Sequence, residues 1–333
     1  MKQTCYVLIF AALLSAGCGR KKEAKYTVAF VPKIKNIPYF QACQRGAEEA
    51  GRELGINVVY DGPTKAEAGP QIDFLKNWIE SGEYNCFAVA CADKDVSTVL
   101  RDARQQGLPV ITYDADAEPD ARQFFINMAT YDAVAEGMVD ALLAELGPNP
   151  KGMVGILTSF LTAPNQAQWA RRVKELIRKK APGLTVLPEE THGEEREKGV
   201  SKARTMIETY HDKGLVGIIG LTSVAVPAAA EATRQLVKQG TITKGQIKVT
   251  GVSTPRDMAD YVKDDTVKSF VLWSPVDLGY LTVHVCDLVR QGKMPRTGKI
   301  KAGRLGDISV TDGEVLLGPP IKFTKENIGK YDF

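Results

Sequence analysis

The chain alternates short, almost wholly apolar runs with amphipathic stretches, and it does so twice over. The apolar runs are Tyr26–Val31, Val58–Tyr60, Phe87–Ala90, Val110–Tyr113 and Phe124–Asn127, then Met153–Thr158, Leu184–Leu187, Val216–Ile219 and Ile247–Val252. They lack the polar–apolar alternation of a strand with one wet face, so they predict parallel strands covered on both sides. Between them, helical periodicity predicts helices over Phe40–Leu54, Ala66–Glu80, Val96–Gln106, Ala133–Leu146, Gln168–Lys180, Glu197–Tyr210 and Ala228–Gln239. Several end on a stop glycine, as in Leu54-Gly55, Gln106-Gly107 and Gln239-Gly240, where only a residue tolerant of left-handed backbone closes the last turn cheaply. Such an order predicts an α/β fold of two similar, doubly wound parallel-sheet lobes. The restart is visible at Lys151–Ser159, which repeats the basic residue, buried strand and polar loop of Lys25–Pro32. A third part adds a helix over Pro255–Lys263, a strand over Val267–Trp273 and a helix over Val276–Gln291. The Gly- and Lys-rich stretch Lys293–Val310 has no helical pattern and suits a segment crossing back between lobes.

The N-terminus adds a constraint on where the protein works. Met1-Lys2, the apolar stretch Tyr6–Ala16 and the small residues before Cys18 have the anatomy of a secretory signal. The run is far shorter than the ~20 apolar residues needed to cross a bilayer. Leu14-Ser15-Ala16-Gly17-Cys18 resembles the bacterial lipobox, which implies loss of residues 1–17, lipid attachment at Cys18 and a polar tether over 18–25. Export excludes most nucleotide-dependent functions. The net charge of +3, or +2 once Lys2 is removed, excludes the concentrated basic face that nucleic acid requires.

Four further cysteines, Cys43, Cys86, Cys91 and Cys286, have no metal-binding spacing and are expected as buried free thiols. Cys86 and Cys91 bracket a strand and would sit roughly 16 Å apart at ~3.3 Å per residue, too far for a disulfide. No dinucleotide fingerprint, phosphate loop, HExxH or GxSxG is present, so neither a metal nor a cofactor is expected. Asp114 and Asp116 form a carboxylate pair. On one extended segment they would point the same way, about 7 Å apart, which opens a hydrolytic reading of the glycosidase kind. Such pairs normally come from different strands, and a non-enzymatic reading is preferred.

Ligands of open α/β sheets sit beyond the carboxyl ends of strands. Those positions hold Lys33 with Tyr39 and Phe40 after the first strand, and Asp114 and Asp116 after the fourth. In the second half they hold Asn165 and Gln166 in a loop, then Leu221 and Ser223, and finally Trp273. A cation, carboxylates, amides and aromatic rings around one cleft suit a polyhydroxylated ligand, whose hydroxyls donate and accept while its C–H faces pack on rings.

At these residues the chain resembles the periplasmic solute-binding proteins of the ribose-binding type used by ABC sugar importers, and within them the rhamnose-binding and autoinducer-2-binding receptors. The resemblance spans nearly all of 26–333. It rests on Phe30-Val31-Pro32-Lys33, Tyr60-Asp61-Gly62-Pro63-Thr64, Val110–Asp116, Gln166-Ala167-Gln168-Trp169, Pro227-Ala228-Ala229-Ala230 and Phe323–Phe333. It implies two lobes joined by a multi-strand hinge, with 26–127 plus 253–293 in lobe one and 128–252 plus 294–333 in lobe two. Lys33, Phe40, Asp114 and Trp273 would then come from lobe one. It also implies a ligand bound in the cleft, hinge closure around it and delivery to an ABC permease by a monomeric, lipid-anchored receptor. The autoinducer-2 receptors use a Lys, an Asp, an Asp-Gln pair, a Pro and an Ala. Here these become Lys33, Asp114, Asn165-Gln166, Leu221 and Ser223, so three of the six positions depart. Leu272–Tyr280 and Gly303–Ile308 look more like the rhamnose-type receptors, and a rhamnose-like deoxyhexose is the expected ligand, with autoinducer-2 as the alternative.

Overall fold

The computed structural model describes residues 24–333. The expected signal, the lipobox at Cys18 and all but the end of the tether lie outside them. The first sheet is built from β1 (Thr27–Val31), β2 (Asn57–Tyr60), β3 (Cys86–Val89), β4 (Val110–Tyr113) and β5 (Phe124–Asn127), all parallel. The second holds β6 (Gly152–Thr158), β7 (Leu184–Val186), β8 (Glu190–Thr191), β9 (Leu215–Gly220) and β10 (Lys248–Gly251), also parallel. The remaining strands are β11 (Ser269–Leu272), β12 (Gly298–Lys301), β13 (Asp307–Thr311), β14 (Glu314–Leu316) and β15 (Ile321–Thr324). Nine α-helices connect the described strands: α1 (Pro38–Leu54), α2 (Ala68–Ser81), α3 (Ser97–Gln105), α4 (Tyr131–Leu146), α5 (Pro164–Lys180), α6 (Arg196–Tyr210), α7 (Ala225–Lys238), α8 (Pro255–Lys263) and α9 (Pro275–Arg290).

Strand parity explains why the apolar runs show no alternation. In β1, Val28 and Phe30 enter one core while Ala29 and Val31 enter the other. In β3, Cys86 and Ala88 divide from Phe87 and Val89 in the same way. Side chains of a strand alternate between faces, and helices cover both, so every position of β1, β3, β4 and β5 but Thr27 is dry. All four cysteines in the described part are buried free thiols.

The order of the larger sheet is β2-β1-β3-β4-β5-β14-β13-β12. β14 pairs parallel with β5, and β13 and β12 follow antiparallel at the edge. The second sheet runs β10-β9-β6-β7 with β8 beside β6. The antiparallel pair β11–β15 adjoins it through a parallel bridge between Val252 and Val271. Helix α9 packs on α1 and on β3, β4 and β5, whereas α8 packs on α7.

This arrangement corrects the expected division of the C-terminal third. Segment 253–293 was expected in lobe one, but α8 and β11 lie with the second sheet and only α9 returns to the first. Segment 294–333 was expected in lobe two, but β12–β14 extend the first sheet and only β15 and the terminus lie with the second. The stretch expected to cross back between lobes holds the antiparallel strands β12 and β13, with β12 at the sheet's edge. In β13 the side chains alternate exposed and buried, the mark of a strand with one wet face. The chain therefore passes between the sheets three times, after β5, after β11 and after β14. Among the described residues, no helix is long and apolar enough to cross a membrane.

Candidate functional site

Strand ends and helix starts from both sheets converge on one cleft. Lys33 follows β1, Asp114 follows β4, Glu194 follows β8, Leu221, Thr222 and Ser223 follow β9, Val252 follows β10, and Trp273 follows β11. Ile37, Tyr39 and Phe40 lie at the start of α1, and Asn165, Gln166 and Trp169 in the first turns of α5. Both helices begin on a proline, Pro38 and Pro164. Proline's fixed φ suits a first turn, where its missing N–H is no loss. Asn165 and Gln166 are thus helical rather than loop residues, because α5 starts at Pro164, four residues ahead of the expected start at Gln168.

The polar groups form one chain across the cleft. The Lys33 ammonium lies 2.9 Å from Asp114 Oδ2 and donates to Asn165 Oδ1 at 3.0 Å. Tyr39 donates its hydroxyl to Asp114 Oδ1 at 2.8 Å, and Trp273 Nε1 donates to the Tyr39 oxygen at 2.9 Å. Lys33 is 5% exposed and Asp114 4%, so the pair is held out of water. Burial and the Asp114 charge both push the Tyr39 phenol well above its ordinary value, which keeps it a neutral donor. Gln166 Oε1 accepts from the Ser159 N–H at 2.9 Å and from the Thr158 and Ser159 hydroxyls. With that oxygen saturated, the amide contributes N–H donors to any further partner.

Asp114 has φ +61°, a left-handed backbone that a non-glycine residue rarely adopts. The twist breaks the extended run on which Asp114 and Asp116 were expected to point the same way. Asp116 instead faces Arg122, accepting from Nε at 3.0 Å and from the terminal nitrogen at 2.8 Å, and it caps the Ala117 N–H at 2.9 Å. The expected ligand role of Asp116, and with it the carboxylate pair for hydrolysis, is therefore corrected: Asp116 is occupied in a part-buried ion pair with Arg122 and does not line the cleft. The other expected residues, Lys33, Phe40, Asp114, Asn165, Gln166, Leu221, Ser223 and Trp273, all line the cleft. Trp273 does so from the crossing segment after β11 rather than from lobe one.

Aromatic rings make the walls. Trp273 lies 5.7 Å from Trp169 and 6.1 Å edge-on from Tyr39, and Tyr39 is edge-on to Phe40 at 5.0 Å. The space between them is about 370 Å³, counting the part open to solvent. Only about 40 Å³ of it is free cavity, well below the roughly 300–1,000 Å³ of small-molecule sites, so the cleft as described is nearly shut. Among the described residues, no group of three His, Cys, Asp or Glu side chains is placed to hold a metal.

Sequence reasoning missed Trp169, Thr222 and Glu194. Trp169 stands in the motif Gln166-Ala167-Gln168-Trp169 but was given no place in the cleft. Thr222 lay between two named positions; its Oγ accepts from the Ala225 N–H at 3.0 Å and meets His192 Nε2 at 3.3 Å. Glu194 follows a strand of only two residues, too short to register as a strand end. Its carboxyl is held above the ordinary range by burial, against the opposing pull of the Lys33 charge.

Residues 28–294 match the profile of the periplasmic binding protein domain. The ribose import binding protein RbsB of Bacillus subtilis is 22% identical over 291 residues, covering 83% of this chain and 84% of its own. A solute-binding protein of an ABC transporter from Clostridium phytofermentas, solved with bound L-rhamnose, is 27% identical, with TM-score 0.84 over 92% of this chain and 98% of that one. LsrB from Clostridium saccharobutylicum, in complex with AI-2, is 22% identical, with TM-score 0.86 over 92% and 100%.

Proposed function

The chain belongs to the periplasmic binding protein family, whose members are receptors and not enzymes, and we propose that it captures a monosaccharide for an ABC importer, an L-rhamnose-like deoxyhexose ahead of autoinducer-2. The observation that carries this reading is the buried relay Trp273–Tyr39–Asp114–Lys33–Asn165, which joins groups from both sheets inside aromatic walls. Lys33 and Asp114 would hold hydroxyls by charge-assisted bonds, worth about 1.5–3 kcal/mol each. Phe40 and Trp273 would cover the apolar C–H face. Asn165 and Gln166 would read the far side, with Leu221 and Ser223 shaping the wall. A 6-deoxy sugar needs one apolar corner, and Leu221, 1% exposed, provides such a surface. The likeness to the rhamnose-bound structure supports the deoxyhexose.

Autoinducer-2 is the second reading. It is favoured by the retained Lys33, Asp114 and Gln166 and by the shape match to LsrB. An amide at Asn165 already accepts from Lys33, so it presents N–H donors where a carboxylate could only accept. That is the reason to rank the deoxyhexose first. Delivery would run through hinge closure: ligand touching both lobes shifts the population toward the closed form, which a permease then reads. The receptor would work as a monomer, exported and tethered through a lipid on Cys18, without a cofactor.

A thermal-shift and calorimetric screen against L-rhamnose, ribose, xylose, galactose and autoinducer-2 tests the assignment. Binding of L-rhamnose alone is the expected result. Binding of autoinducer-2 alone would replace the deoxyhexose reading by the second. Binding of none would sink both.

A further inference from the structure

Two polar atoms of opposite character line the cleft without a hydrogen-bond partner in the protein. Trp169 Nε1 is a donor and Glu194 Oε2 is an acceptor, and both are buried. Buried polar groups are almost always paired, so each such exception calls for a reason. Glu194 adds a second anomaly. Its backbone has φ +61°, directly after Gly193 at φ +63°. Glycine adopts that conformation freely, whereas glutamate is strained in it, and such strain concentrates at functional positions. The segment is pinned there by backbone bonds from His192 to Thr158 (3.0 Å), from Gly193 to Ser159 (3.0 Å) and from Glu195 to His192 (3.0 Å). A cheaper residue would hold the same turn, yet a glutamate carries its carboxyl into the cleft.

We infer that Glu194 and Trp169 together select the ligand by holding one of its hydroxyls, the carboxyl oxygen accepting from its O–H and the indole N–H donating to its oxygen. This rests on the monosaccharide reading and deepens it. The pair of orphans narrows the chemistry. An ammonium group would satisfy Glu194 but offer the indole nothing. A carboxylate or phosphate would satisfy the indole but meet the charges of Glu194 and Asp114. A hydroxyl donates once and accepts, and so satisfies both. The Lys33–Asp114 pair is already internally balanced, so discrimination between sugars of one size falls to the second-sheet side, where Glu194 and Trp169 lie. The selected hydroxyl is therefore the one facing Glu194 after β8 and Trp169 on α5.

Titration calorimetry on the mature protein with the sugar panel above, and with monodeoxy forms of whichever sugar binds, tests this. Trp169→Phe keeps the ring and removes the N–H. Glu194→Gly removes the carboxyl and suits the left-handed backbone. Each is expected to weaken the parent sugar roughly tenfold or more, while the melting temperature of Glu194→Gly does not fall. One monodeoxy sugar should bind the unaltered protein more weakly by a similar factor and lose nothing further in either variant. Parent-sugar affinity unchanged in both variants would overturn the inference. So would equal losses for every deoxy form, which would mark a merely structural role. Absence of sugar binding by the unaltered protein would be a different failure, that of the receptor reading itself.

Discussion

Lys33 and Asp114 show how much a single residue can hold here. Each is almost fully buried, and each is the other's counter-charge at 2.9 Å. Replacing a buried pair by apolar groups is often tolerated, but removing one partner strands a charge and costs about 3–5 kcal/mol. Lys33→Met should therefore lower unfolding stability by about that much and abolish sugar binding. Lys33→Met with Asp114→Leu should recover part of the stability but none of the binding, as denaturant melts and calorimetry would show. His192 makes a pH prediction. It is wholly buried, and burial, helped by the Lys198 charge, holds its ring down at about 4. Nε2 lies 3.3 Å from Thr222 Oγ and Nδ1 has no partner, so a ring carrying both protons would leave an N–H unanswered. The folded value lies below the unfolded one of ~6.5. The unfolded chain therefore binds the extra proton first, and stability is full above that range and falls as pH drops toward 4. The loss is roughly 3 kcal/mol at most. Glu194, whose carboxyl is held up by burial, works in the opposite sense as pH falls through the carboxylate range. Melts of the parent and of His192→Asn between pH 4 and 7 should differ in slope, the variant being flatter. The strand-end rule was enough to find Lys33 and Asp114 in the sequence. It could not show that a left-handed backbone at Asp114 sends Asp116 away to Arg122, because a single φ outlier leaves no pattern in composition.

Among the elements, the α1–α9 pair is the tightest join. A Cβ on Gly46 would stand 1.7 Å from the Val276 carbonyl oxygen, and one on Gly279 would stand 1.9 Å from that of Cys43. Backbone meets backbone, so no side chain can yield. Alanine is the better helix former by about 1 kcal/mol, yet Gly46→Ala or Gly279→Ala must push the helices apart. A net loss of about 1–3 kcal/mol is expected in urea unfolding. Because α1 carries Tyr39 and Phe40 into the cleft, sugar affinity should fall with it. An unchanged unfolding midpoint would mean the helices separate without cost. Most elements were legible. Strands dry on both faces read as solid apolar runs, and helices ending at Gly55 or Gly107 read from their stop signals. Strands β12 and β13 were not, since six of their nine residues face water and Gly298, Lys299 and Lys301 of β12 imitate a loop.

At the scale of the whole molecule, three crossings of the chain link two sheets that meet at the cleft. The Lys33–Asn165 bond spans it, so the conformation described is a closed one. A ligand that touches both sides favours this form over any open one, and at 100 times its dissociation constant it stabilises the fold by about 2.7 kcal/mol. The radius of gyration from small-angle scattering should fall on addition of saturating sugar. In Asn165→Ala the sugar-free protein should be at least as expanded as the parent, because a cross-cleft bond is gone. No change of radius in the parent would argue against hinge closure. The alternation of strands and helices, the repeated lobe and the residues at strand ends were all determined by the sequence itself, because they depend on neighbours a few positions apart: side-chain period, turn residues and helix stops. Which sheet β12–β14 would join, where Trp273 would stand and how Glu194 would turn its carboxyl into the cleft were decided only by the tertiary structure. Each depends on contacts between residues far apart in the chain, whose cost and gain no local pattern records.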